Sequence, residues 1–192
     1  MNFMNTNSSQ KTSSAASAVR ISLLIAEILA LLAIGVVGVL LHAKFRVPLK
    51  LPGHHGLVYM ALLIGGRMLS RKPYASSLSS VGAAVMLMFP LGFKDPFIPL
   101  IYLLPGFIVD LGYRILGPKN RNIFLMALFC GIAYMTIPLS RIIITTFTGF
   151  PYGSLINGFL WPTFTHLVFG FAGGLAGSAL VKAFRKNGKS GA

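Results

Sequence analysis

The stretch KFRVPLKLPGHHG, residues 44–56, separates the first two apolar segments of the chain, and the interpretation of the fold starts from it. It combines basic, proline and histidine residues: Lys44, Arg46, Lys50, Pro48, Pro52, His54 and His55. Because proline fixes φ and lacks a backbone N–H, a helix cannot run through this stretch. We therefore predict a cationic loop between two helices. It is either a lid over a site for an anion or a connector whose charges meet lipid headgroups.

The composition around this loop is that of a membrane protein. Of the 192 residues, 55% are hydrophobic and 10% are charged, whereas soluble domains average about 25% charged residues. A chain of this length has room for five or six spans of roughly 20 residues each. We predict an all-α integral membrane protein with a disordered polar tail (residues 1–17), a single six-helix domain in the lipid bilayer (18–186) and a basic C-terminal tail (187–192).

Six apolar segments are predicted to cross the membrane, at residues 19–42, 56–69, 74–93, 96–116, 123–146 and 155–184. The first half of the third segment is small and polar, which is typical of a face packed against other helices. The sixth ends in a ladder of glycine and alanine. Asp110 and Arg114 are four residues apart, which predicts an ion pair along one helix.

The basic residues predict the orientation, because Lys and Arg collect on the cytoplasmic side of membrane proteins. With six spans and the N-terminus inside, the inner side takes Lys11, Arg20, Arg67, Arg71, Lys72, Arg114, Lys119, Arg121, Lys182, Arg185, Lys186 and Lys189. The outer side takes Lys44, Arg46, Lys50 and Lys94, and Arg141 lies within a span. We expect both termini in the cytoplasm of a prokaryotic cell, with the chain a multi-pass protein of its cell membrane.

This topology brings polar and aromatic residues to the outer half of the bundle. The candidate ligand-binding residues are Lys50, His54, His55, Tyr59, Lys94, Arg141, Tyr152, Asn157 and Trp161. An arginine within a span costs a few kcal/mol, so Arg141 is expected to face a cavity; the alternative is that it snorkels to the headgroups. Trp161 either stacks on a planar ligand or belongs to the interfacial aromatic belt. The expected ligand is small, anionic or zwitterionic, and contains a planar ring.

Other kinds of chemistry have weaker support in the sequence. His54 and His55, with His42 or His166, are an alternative nickel or cobalt site, but adjacent histidines rarely point the same way, and we predict neither a metal nor a cofactor. Three acidic residues and the lack of catalytic motifs predict that the chain is not an enzyme. The basic residues are dispersed among loops, so no nucleic-acid partner is expected.

Three stretches together resemble a known family. They are AEILA (residues 26–30), VPLKLPGHHGLVYMALLIGGR (47–67) and HLVFGFAGGLAGSALVKAFRK (166–186). Their arrangement is similar to that of the substrate-binding S components of energy-coupling factor (ECF) vitamin transporters. The resemblance implies six helices, cytoplasmic ends and a pocket in the outer half. It also implies that Ala26 and Ala30, as an AxxxA-type motif, dock on a transmembrane coupling subunit that works with two ATPase subunits.

The leading hypothesis is therefore a membrane-embedded substrate-binding subunit of a micronutrient uptake transporter. One alternative is a divalent-metal (nickel or cobalt) permease subunit that uses His54 and His55. Another is a membrane enzyme acting on a lipid or prenyl phosphate held by Arg141 and Lys50. The shortage of carboxylates disfavours that enzyme, since such sites use carboxylates to hold Mg²⁺ or to act as bases. A structural or assembly protein is a further alternative.

Overall fold

The computed structural model describes residues 6–44, 51–89, 91, 95–117, 119, 122–156 and 158–190, and in these residues the protein is helical without strands. The elements are α1 (Thr6–Lys44), α2 (Gly56–Leu69), α3 (Ala75–Met88), α4 (Ile98–Leu116), α5 (Ile123–Thr148), a 3-10 helix (Gly153–Leu155) and α6 (Leu160–Ser190). The prediction of an all-helical protein is confirmed.

Four of the described helices contain stretches long and apolar enough to cross a membrane. These stretches are Ser17–Leu41, Ile98–Leu116, Ile123–Thr148 and Leu160–Asn187. The remaining two, α2 and α3, are apolar but have 14 residues each. At 1.5 Å per residue each extends about 21 Å, which is shorter than the roughly 30 Å hydrocarbon core of a bilayer. Several helices are thus compatible with membrane insertion.

The chain divides into two units, Met1–Ala30 and Leu31–Ala192, and the boundary lies within α1. In the first unit the described helix starts at Thr6, inside the stretch for which the sequence predicts a disordered tail. Residues 17–26 are exposed, and fully buried positions of α1 start at Leu31. The second unit contains all the other helices.

Within the second unit, α6 packs on both α5 and α2, and α3 packs on α4. The glycine ladder of α6 makes the first two contacts possible. Gly174 faces Ala127 and Cys130 of α5, whereas Gly177 faces Ala61 of α2. These small residues let the helix backbones approach closely, so α6 is held between its two neighbours.

The small polar face predicted for the third apolar segment is buried as expected. Ser76, Ser79 and Ser80 have no exposed surface. Where α3 meets the second half of α1, a side chain at Gly82 would run into the backbone carbonyl of Leu32. Glycine is therefore required for this helix approach, since even a methyl group has no room.

An ion pair expected within α4 is formed with a different partner. Asp110 pairs with Arg67 of α2 (Nε to Oδ1, 3.1 Å), and both side chains are buried, so the predicted pair with Arg114 is wrong. The Asp110 carboxylate also accepts the backbone N–H groups of Ser76 (3.1 Å) and Ser77 (2.8 Å) at the start of α3. A buried carboxylate is stabilised more by these donors than by an exposed arginine one turn away.

Predicted boundaries of the third and sixth segments also differ from the structure. The third segment was expected to reach residue 93, but α3 ends at Met88. The sixth was expected to begin at Leu155, but α6 begins at Leu160, after Gly158, whose φ of 90° is incompatible with an α-helix. Helix α6 also continues past residue 184 to Ser190, into the predicted basic tail.

Candidate functional site

A cavity of about 290 Å³ lies at the end of the second unit where α2, α4 and α6 begin and where α3 and α5 end. It is lined by Pro52, Gly53, His55, Leu87, Asp95, Ile98, Tyr102, Tyr134, Ile137, Arg141, Ser154 and His166. At about 30 Å³ per water molecule, this volume equals that of roughly ten waters. The cavity is therefore large enough for a small organic molecule, near the lower end of the range for ligand pockets.

Arg141 of α5 supplies the positive charge of this cavity. Its Nη1 donates to Ser154 Oγ at 3.3 Å, and its guanidinium carbon lies 5.5 Å from the centre of the Tyr152 ring. Its Nε is buried and has no hydrogen-bond partner among the described residues. The guanidinium has five N–H donors and forms no salt bridge with a described residue, so donors remain for a ligand acceptor.

Asp95, just before α4, supplies the negative charge. Its Oδ1 accepts the backbone N–H of Phe97 (2.9 Å) and the hydroxyl of Tyr152 (3.2 Å). Within the described part of the chain, Oδ2 has no hydrogen bond, and the carboxylate forms no salt bridge with Arg141. The two opposite charges thus line one cavity without neutralising each other directly.

His166 of α6 forms part of the cavity wall and has a defined tautomer. Its Nδ1 lies 2.6 Å from the carbonyl oxygen of Pro162. A carbonyl oxygen only accepts, so Nδ1 donates and Nε2 is the acceptor of the neutral ring. One face of the ring stacks on Tyr134, with 4.7 Å between centroids. A side chain at Gly53 would clash with the same imidazole, so glycine at this position leaves room for it.

The adjacent histidines differ in their surroundings. His55 lines the cavity, whereas His54 is not a lining residue and its Nδ1 donates to the carbonyl of Leu51 at 2.6 Å. Burial and the neighbouring His54 lower the pKa of His55 below its ordinary value, which favours the neutral ring at pH 7. Among the described residues there is no group of three or more His, Cys, Asp or Glu side chains that could hold a metal ion.

Tyrosines supply neutral hydroxyl groups around the two charges. Tyr102 and Tyr134 line the cavity. Tyr59 is buried, with its hydroxyl 3.1 Å from Ser80 Oγ and 3.3 Å from the carbonyl of Tyr102, to which it donates. Burial, assisted by Asp95, raises the pKa of Tyr152 to about 12. Its phenol therefore stays protonated at pH 7 and donates to Asp95.

The predicted site residues are distributed unevenly. The structure brings together His55 and Arg141 in the lining, with Tyr152 in contact with Arg141 and Asp95. Trp161 is 54% exposed and pairs with Phe164 instead of lining the cavity. Lys50, Lys94 and Asn157 lie outside the described residues. Ala26 and Ala30 belong to the first unit, where both side chains are exposed.

Several lining residues were not predicted from the sequence as ligand-site residues, among them Asp95, Tyr134, Ser154 and His166. Asp95 carried a usable signal, because it is one of three acidic residues and falls at the same end of the bundle as Arg141. Tyr134 and His166 lie within apolar helices, where a core role has the same pattern. No protein-family model, curated protein or solved structure matches the chain.

Proposed function

We propose that this chain is the membrane-embedded substrate-binding subunit of a micronutrient uptake transporter, organised like the S components of ECF transporters. The observation that carries the proposal is the cavity at one end of the helices, with Arg141 in its lining and in no salt bridge with a described residue. Such a cavity suits a small anionic or zwitterionic molecule. The proposed role is capture of that molecule, not its chemical conversion.

The distribution of charge supports an outward-facing cavity. Basic residues cluster at the opposite ends of the helices, after α2, at the ends of α4 and α6 and before α5: Arg67, Arg71, Lys72, Arg114, Lys119, Lys182, Arg185 and Lys186. By the positive-inside rule this end belongs in the cytoplasm. Six spans with both termini inside then follow, with α2 and α3 as short spans at whose ends the bilayer thins or loops enter the headgroups.

The proposed subunit needs partners, since no nucleotide-binding motif is present in the sequence. These partners are a transmembrane coupling subunit and two ATPase subunits. Ala26 and Ala30 are exposed and four residues apart on α1, a spacing that allows close approach of another helix. Leucine at both positions should abolish co-purification with the coupling subunit; an intact complex would contradict this docking site.

The binding site is tested by Arg141→Gln, with Arg71→Gln as a matched control because Arg71 is exposed at the opposite end. The full-length protein is first screened against small water-soluble carboxylates and zwitterions, including vitamins. Calorimetry then measures the affinity of each hit. Loss of a hydrogen bond to a charged group corresponds to about 1.5–3 kcal/mol, so Arg141→Gln should weaken binding about 10- to 100-fold. Equal affinity of both variants would mean that Arg141 does not contact the ligand.

A further inference from the structure

We propose that the ligand of this cavity is a zwitterion, with its anionic group bound by Arg141 and its cationic group bound by Asp95. This inference rests on the proposed function, since it assigns a substrate class to the same cavity. It adds a specificity-determining residue, Asp95, to the ligand site.

The first observation is the state of the Asp95 carboxylate. Both of its hydrogen bonds, from Phe97 N–H and the Tyr152 hydroxyl, go to Oδ1. Oδ2 is left without a hydrogen bond among the described residues, although Asp95 lines the cavity. Asp95 is partly buried, and an ammonium group of a ligand would pair with its free oxygen.

The second observation is that Asp95 and Arg141 do not pair with each other. Both contact Tyr152, Asp95 through the hydroxyl (3.2 Å) and Arg141 through the ring (5.5 Å from the guanidinium carbon to the centroid). Nη1 of Arg141 donates to Ser154, and the guanidinium forms no salt bridge with a described residue. Each charge therefore keeps an unused binding position, one for a cation and one for an anion.

The third observation is that a ligand with a single negative charge would share the cavity with the Asp95 carboxylate. A monoanion bound by Arg141 would bring its negative charge into a cavity of about 290 Å³ that also contains the Asp95 carboxylate. The repulsion between these two negative charges disfavours binding of a monoanion. A ligand with a cationic group at its other end replaces this repulsion by attraction. The stacked rings of Tyr134 and His166 in the wall offer aromatic surface to the body of the ligand.

A purely structural role for Asp95 has different consequences. Its bond to Phe97 N–H supports the first turn of α4, and that bond uses Oδ1 alone. Asparagine at position 95 retains an oxygen for Phe97 N–H but removes the charge. If Asp95 is only structural, Asp95→Asn should lower the unfolding temperature. If Asp95 determines specificity, Asp95→Asn should change the relative affinities for ligands with and without a cationic group.

The experiment uses three probes of matched shape: 4-(aminomethyl)benzoate, which is zwitterionic, 4-methylbenzoate, which is anionic, and 4-methylbenzylamine, which is cationic. Calorimetry on the full-length protein in nanodiscs should give wild-type affinity for the zwitterion at least about tenfold above that for either other probe. Asp95→Asn should bind the zwitterion no more tightly than it binds 4-methylbenzoate. Its affinity for 4-methylbenzoate should be equal to or higher than that of wild type. Asp95→Glu should restore part of that advantage. If Asp95→Asn does not fold, the comparison of the three probes on wild type decides by itself.

Equal wild-type binding of 4-methylbenzoate and the zwitterion would overturn the inference and leave the proposed function standing. Selectivity that survives Asp95→Asn would overturn the role of Asp95. If none of the three probes binds, the hits of the wider screen decide, because a tight hit without a cationic group contradicts the zwitterion. A screen without any hit contradicts the proposed function itself.

Discussion

At the scale of single residues, the cavity owes its properties to polar atoms with unused hydrogen-bonding capacity. Arg141 Nε is buried without a described partner, and Asp95 Oδ2 is free of hydrogen bonds in the described part of the chain. His166 presents an acceptor because its Nδ1 is committed to Pro162. Such groups are costly in an empty cavity and favourable beside a complementary ligand.

His55 makes anion binding depend on pH. Because burial and His54 lower the pKa of His55, the ring gains its proton only at a pH below the ordinary imidazole pKa of about 6.5. A cationic ring strengthens binding of an anion, so affinity for 4-methylbenzoate should rise as the pH is lowered from 7.5 through that range. Uptake of one proton limits the rise to about tenfold per pH unit.

Calorimetry at several pH values checks this, with His55→Gln as the comparison. Asp95 and His166 also line the cavity and are retained in this variant, so any slope that they cause persists. The account requires a flatter dependence for His55→Gln than for wild type. The same slope in both proteins would assign the titration to another group.

The sequence alone indicates some of these residues and not others, for a physical reason. Arg141 stands out because charge within an apolar segment is expensive and needs a compensating environment. Trp161 stays a prediction, since a tryptophan near a helix start has the same sequence pattern whether it lines a cavity or is exposed, and here it is 54% exposed. The inward direction of Tyr134 depends on helix rotation, which apolar periodicity leaves undetermined in a segment that is hydrophobic on all sides.

At the scale of elements, three helices are joined by one buried carboxylate. Asp110 of α4 pairs with Arg67 of α2 and accepts the N–H groups of Ser76 and Ser77 at the start of α3. The Arg67 guanidinium also lies 4.0 Å from the centre of the Tyr113 ring. A carboxylate at a helix N-terminus is favoured by the helix dipole, and here it comes from a neighbouring helix.

Asp110→Ala should therefore destabilise the protein by about 3–5 kcal/mol, because it leaves the Arg67 charge buried and unpaired. Denaturant or thermal unfolding in detergent measures this loss. Arg114→Ala is the control, since Arg114 is exposed and lies on the same helix, and it should change stability by less than about 1 kcal/mol. Equal stability of the two variants would show that the buried pair contributes little.

The predicted helix boundaries agree with the structure where proline, glycine or polar residues flank the helix. The bounds of α2 agree with the prediction because prolines and Gly53 precede it and polar residues follow. The start of α6 does not, because Gly158 interrupts an otherwise apolar run in which hydrophobicity alone continues. The ion-pair partner of a buried residue such as Asp110 depends on packing between segments distant in sequence. The spacing of residues along one helix therefore does not predict it.

At the scale of the whole molecule, composition was sufficient for an all-helical chain with several helices able to cross a membrane. The order of helices around the cavity was not predictable, since it depends on contacts between segments distant in sequence, such as those of Gly174 and Gly177. In the proposed orientation, the cavity lies on one side of the membrane and most of the basic residues lie on the other side. With that orientation, which we propose, the ligand would reach the cavity from outside the cell.

The central claim is that this cavity captures a small charged molecule, and mass spectrometry of the protein purified from its own membranes tests it most directly. Small molecules are released by denaturation and quantified for wild type, Arg141→Gln and the control Arg71→Gln. We predict one zwitterionic or anionic compound that is retained by wild type and by Arg71→Gln and depleted about tenfold or more in Arg141→Gln. Equal retention by all three proteins, or no retained compound in wild type, would contradict the account.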